Sequence, residues 1–82
     1  MLDLVLSNNS QRFLNKCPSP LYEIITKVLE ELRADPKSSG TLKGNSLLHK
    51  KRIGKYRIIY RFDTTSLVIV RIGHRKNVYN RL

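Results

Sequence analysis

Residues 53–82 read IGKYRIIYRFDTTSLVIVRIGHRKNVYNRL. Apolar and cationic residues alternate here with a period of two, which is the period of a β-strand. In the run 55–62, Tyr56, Ile58, Tyr60 and Phe62 fall on one side, and Lys55, Arg57, Ile59 and Arg61 on the other. The first set suits a covered core, and the second a face left open to solvent. Strands are expected at 46–52, 55–62 and 67–73, with turns at Gly54-Lys55 and at the DTTS segment, 63–66. Such short connections make an antiparallel meander.

Upstream the period lengthens. Residues 2–6, LDLVL, are β-prone, and SNNS (7–10) is a cluster of helix N-cap formers. QRFLNKC (11–17) predicts a short helix with Phe13, Leu14 and Cys17 on one side, ended by Pro18. A second helix is expected from a Ser19 cap and Pro20 to Asp35-Pro36. Its apolar stripe is Leu21, Ile24, Ile25, Val28, Leu29 and Leu32, spaced for one helix face. KSSGTLKGNS (37–46) reads as a loop. The order β-α-α-β-β-β over residues 1–82 predicts a single small α+β domain. Both helices would pack on one face of an antiparallel sheet.

The chain has 82 residues, enough for one modest core. Its single cysteine, Cys17, excludes an internal disulfide framework and a cysteine-based metal site. No apolar run approaches the roughly 20 residues of a membrane-spanning helix. The start, MLDLVLSNNS, lacks the basic segment and apolar length of a signal peptide, so a cytoplasmic location is expected. The net charge is +10. Residues 1–42 balance five basic side chains (Arg12, Lys16, Lys27, Arg33, Lys37) against five acidic ones (Asp3, Glu23, Glu30, Glu31, Asp35). Residues 43–82 carry eleven basic side chains and only Asp63 against them. That asymmetry points to a polyanionic partner. A merely wet sheet face would mix Thr, Ser, Glu and Lys, whereas this one is almost wholly cationic.

The RIGKYRIIYRF and LVIVRIGHRKNVYNRL segments, with RFLNKCP and LYEIITKVLEELRADP before them, resemble the RelE/ParE superfamily of toxin–antitoxin toxins, in particular its RelE-like branch. The resemblance covers nearly the whole chain and implies a RelE-like fold. It also implies a ribosome-dependent mRNA endonuclease that needs no metal or other cofactor. A ribose 2′-OH attacks the adjacent phosphorus and leaves a 2′,3′-cyclic phosphate and a 5′-OH. This chemistry needs a base, cations for the phosphorane charge and an acid for the leaving oxygen.

By resemblance, Arg57 contacts the scissile phosphate, Arg75 stabilises transition-state charge, and Tyr79 stacks on or orients the substrate base. Lys50 and Arg52 fall on the basic strand that supplies lysines in RelE-like enzymes. One of the two lysine positions there is Leu48 in this chain, so the base is open among Lys50, His49 and His74. A free lysine, with a pKa of about 10.4, is a poor base while protonated, and histidine starts near about 6.5. Lys43, Lys51, Arg52, Lys55, Arg61 and Arg71 are read as RNA-binding. The implied partners are the ribosome with its A-site mRNA and an acidic or amphipathic RelB-like antitoxin, in a hetero-oligomer. No membrane partner is expected. The alternatives are a ParE-like DNA gyrase inhibitor, a non-catalytic basic nucleic-acid-binding domain, and an inactive domain that only binds an antitoxin.

Overall fold

Alternation and helical striping both find their places in the structure, a computed structural model that describes residues 1–38, 47–74 and 76. The elements are β1 (Asp3–Leu6), α1 (Asn8–Lys16), α2 (Ser19–Ala34), a 3₁₀ turn (Pro36–Ser38), β2 (His49–Ile53), β3 (Tyr56–Phe62) and β4 (Ser66–His74). The element order is the expected one, and both helices lie on one face of the sheet. No helix among the described residues is long and apolar enough to cross a membrane.

The sheet order is β1-β4-β3-β2. β2, β3 and β4 form the expected antiparallel meander. β1 corrects the expectation of a wholly antiparallel sheet, because it lies parallel to β4, with Leu4 opposite Leu67 and Leu6 opposite Ile69. Alternation within a strand carries no sign of its direction. Two intervening helices give the chain the length a parallel crossover requires.

Helix α1 starts earlier than QRFLNKC suggests. Ser7 is its N-cap and accepts the Ser10 N–H on its hydroxyl at 3.1 Å, so Asn8, Asn9 and Ser10 are already helical. In α2 the N-cap is Pro18, and Ser19 lies inside the helix with no side-chain cap. Pro20 still sits in the first turn, where its missing N–H costs no hydrogen bond. Ile25, Leu29 and Leu32 are buried against Leu14, Ile58, Tyr60, Leu67, Ile69 and Ile72. Ile24 departs from the expected stripe and is 51% exposed. Tyr60, fully buried, donates its hydroxyl to the Pro36 carbonyl at 2.7 Å and so ties the exit of α2 to the sheet.

One irregularity decides which side chains of β4 reach the open face. β4 pairs with β3 in two registers, Ile59 opposite Arg71 and Tyr60 opposite Ile69, which leaves Val70 as an extra residue. This bulge shifts the phase of β4 by one residue. Leu67 and Ile69 point into the core before it and Ile72 after it, so Arg71 emerges on the open face instead of under the helices. The start of α1 bonds the carbonyls at the bulge. Ser7 Oγ donates to Val70 O at 2.6 Å, Ser10 Oγ to Ile69 O at 3.1 Å, and the Ser7 N–H to Ile69 O at 3.0 Å.

Candidate nucleic-acid interface

The register places five cations on the face away from the helices. Lys50 and Arg71 flank Ile59 from either side, Arg52 lies opposite Arg57, and Arg61 lies opposite Val68. Ile59 is fully buried at the centre, with Arg57 and Arg61 two residues away along its own strand. Lys50, Arg52 and Arg61 are exposed, and Arg57 and Arg71 are half-buried. The Arg57 guanidinium donates to its neighbour's carbonyl, Tyr56 O, at 3.2 Å. Asp3, opposite Ser66 on β1, is the carboxylate of this face and lies at the far edge. Among the described residues the one ion pair is Arg33–Glu30 at 2.9 Å, on α2.

Directly opposed like charges, such as Arg52 and Arg57, weaken a sheet by some tenths of a kcal/mol. Folding alone does not favour that pairing. An external anion turns the repulsion into attraction, and arginine forks suit phosphate oxygens in particular.

The three candidate bases separate here. Lys50 shares the face of Arg57 and is its diagonal cross-strand neighbour, about 7–8 Å away between backbones. His49 lies opposite Tyr60 on the helix side. Its ring packs on Phe62 and Tyr60, with centroids at 4.8 and 5.5 Å, and its Nδ1 is buried with no hydrogen-bond partner among the described residues. His74 lies opposite Tyr56, also off the Arg57 face, with ring centroids 5.9 Å apart. Lys51 faces Ile58 on the helix side at the sheet edge, and Lys55 belongs to the turn after Gly54, not to β3. Lys43, Arg75 and Tyr79 lie outside the described residues. Sequence reasoning missed Val70 and its partners Ser7 and Ser10, which deliver Arg71 to the face. The only trace was the broken alternation in LVIVRI.

The sequence model of a family described as ParE toxin of type II toxin–antitoxin system, parDE, matches residues 5–79. The chain belongs to this toxin family. No curated protein matches it. Among solved structures, the RelBE2 toxin–antitoxin complex of Mycobacterium tuberculosis is similar, at 25% identity and a TM-score of 0.77 over 90% of this chain and 91% of that one. The isolated E. coli RelE toxin matches at 19% identity and a TM-score of 0.80, over 90% of this chain and 84% of that one. The RelB–RelE complex of Methanococcus jannaschii matches at 19% identity and a TM-score of 0.73, over 95% and 98%. These last two share the fold. The toxin is therefore a RelE/ParE-type domain: two helices on a four-stranded mixed sheet, with the other sheet face basic.

Proposed function

We propose that the toxin is an endoribonuclease acting on ribosome-bound mRNA, with the cationic sheet face as its RNA-binding surface. The observation that carries the reading is the concentration of Lys50, Arg52, Arg57, Arg61 and Arg71 on one face, including the opposed Arg52–Arg57 pair. Arg57 holds the non-bridging oxygens of the scissile phosphate and meets the charge that grows on them. Lys50, the candidate base on the Arg57 face, takes the 2′-OH proton. The 2′-oxygen then bonds to phosphorus as the P–O5′ bond breaks, and the departing 5′-oxygen takes a proton from water, giving the cyclic phosphate and a 5′-OH. Arg75 and Tyr79 complete the site as the resemblance implies. Arg61 and Arg71 bind RNA without taking part in the chemistry. The ribosome supplies positioning, so free RNA is cut feebly. The toxin acts in the cytoplasm and pairs with a RelB-like antitoxin whose acidic segment orders on binding and covers the cations.

The match to ParE toxins favours a second reading, inhibition of DNA gyrase, in which the same face meets a protein–DNA target. Two assays on one preparation separate the two. Codon-spaced cuts in a translated mRNA, lost in Arg57→Ala, support the nuclease. Loss of supercoiling activity without mRNA cuts supports the gyrase inhibitor.

A further inference from the structure

The end of the sheet at the β2–β3 turn holds a second basic feature. A cleft of about 400 Å³ is lined by Arg52, Gly54, Lys55, His74 and Lys76. Among the described residues, every lining side chain that carries a polar group is a cation or an imidazole. Both carboxylates of the sheet region lie at its opposite end: Asp3 is opposite Ser66, and Asp63 is in the β3–β4 turn. The separation is the length of β3, roughly 20 Å for its seven residues. Gly54 has φ +56°, and the space over its Cα is open, so the turn presents no side chain there. Arg52 belongs to both this cleft and the open face, where it lies opposite Arg57. The two basic regions are continuous around the sheet end.

His74 has a defined role in the cleft. The Lys76 backbone N–H donates to His74 Nδ1 at 3.2 Å. In the neutral ring the proton then sits on Nε2, so the ring offers the cleft a donor and not a base. The described side chains that line the pocket, Arg52, Lys55, His74 and Lys76, bring hydrogen-bond donors to it, the chemistry that receives a phosphate.

We propose that this cleft is a second phosphate subsite, which holds a backbone phosphate of the same RNA strand beside the one at Arg57. The proposal rests on the RNA-binding reading above. It assigns Lys55 and Lys76 as positioning residues and His74 as a hydrogen-bond donor.

The test is a phosphate walk by fluorescence anisotropy. The probes are short single-stranded oligoribonucleotides made uncleavable by 2′-deoxy substitution, each carrying one neutral methylphosphonate at a successive position. The wild-type toxin is compared with K55S/K76S, whose two sites are exposed and outside the core. The double variant should bind the unmodified probe several-fold more weakly, with a salt slope shallower by about 0.7 for the one phosphate lost. It should also become insensitive to methylphosphonate at one position while the wild type stays sensitive there, a coupling only a specific contact produces. If the variant keeps the wild-type pattern at every position, or loses affinity equally at all of them, the subsite is overturned. If the wild type is insensitive everywhere, the RNA reading itself fails. If the variant keeps its RNA binding but loses affinity for an acidic antitoxin segment, the cleft belongs to the protein partner and the subsite is overturned.

Discussion

The two faces of this sheet are built on opposite principles. On the helix side, cross-strand neighbours such as Ile58 and Ile72, or Phe62 and Leu67, are apolar and closed over by Leu14, Ile25, Leu29 and Leu32. On the other side, Arg52 lies opposite Arg57, and Lys50 and Arg71 flank Ile59. The first face is what stability asks for, since buried apolar area stabilises at about 25 cal/mol per Å². The second opposes folding slightly and makes sense only toward an anion outside the chain. Substitutions should therefore affect different quantities on the two faces.

The largest effect on stability is expected on the covered face. Ile58→Ala should cost about 2–5 kcal/mol, read as a fall in chemical-denaturation midpoint. A loss below about 1 kcal/mol would mean that the core is misassigned. On the open face, Arg57→Ala should cut the rate of ribosome-dependent cleavage roughly 10²–10³-fold while leaving the melting temperature unchanged or higher. Between the faces stands the bulge. Ser7→Ala removes both the cap of α1 and the donor to Val70 O, at an expected 1–2 kcal/mol, roughly. RNA affinity should fall with it as Arg71 loses its fixed position, so a stability loss with full RNA affinity would detach the bulge from function. Arg52→Thr should show opposite signs in two assays. It gains a few tenths of a kcal/mol in stability by relieving like-charge repulsion, and it flattens the salt dependence of RNA binding by about 0.7.

The smallest effect belongs to the β3–β4 turn. There the backbone N–H groups of Thr65 and Ser66 and the Thr65 hydroxyl donate to Asp63 and hold its carboxyl below the ordinary 3.8, with Arg61 adding to the shift. A lowered carboxyl stabilises the fold above the ordinary carboxylate value, and that contribution is lost as pH falls through the lower folded value. Asp63→Asn should remove this acid-limb dependence and lower stability slightly near pH 7, where the carboxylate's contribution is fully present. An identical acid limb in the variant would count against the turn bonds.

The elements were legible in the sequence because periods of two and of about 3.6 are direct consequences of strand and helix geometry. The striped α2 and the alternating β3 needed nothing more. Strand direction was not legible, because side-chain alternation is the same in either sense, and β1 turned out parallel to β4. The open face was half legible. Arg57 and Arg61 followed from alternation in β3, but the placement of Arg71 depends on one unpaired residue, Val70, whose carbonyl is satisfied by a serine 63 positions away. No local pattern encodes such a contact. The histidines show the same limit. Their chemistry made them candidate bases, and only the register put His49 and His74 on the side away from Arg57.

The measurement that bears most directly on the central claim is primer extension on an actively translated mRNA, with wild-type toxin, Arg57→Ala and Arg57→Lys. The account predicts codon-spaced cuts that require the ribosome, end in a cyclic phosphate, disappear in Arg57→Ala and are not restored by lysine, which lacks the two-pronged guanidinium contact. Equal cutting by wild type and Arg57→Ala, or no cutting by wild type under conditions where it inhibits gyrase, would contradict it.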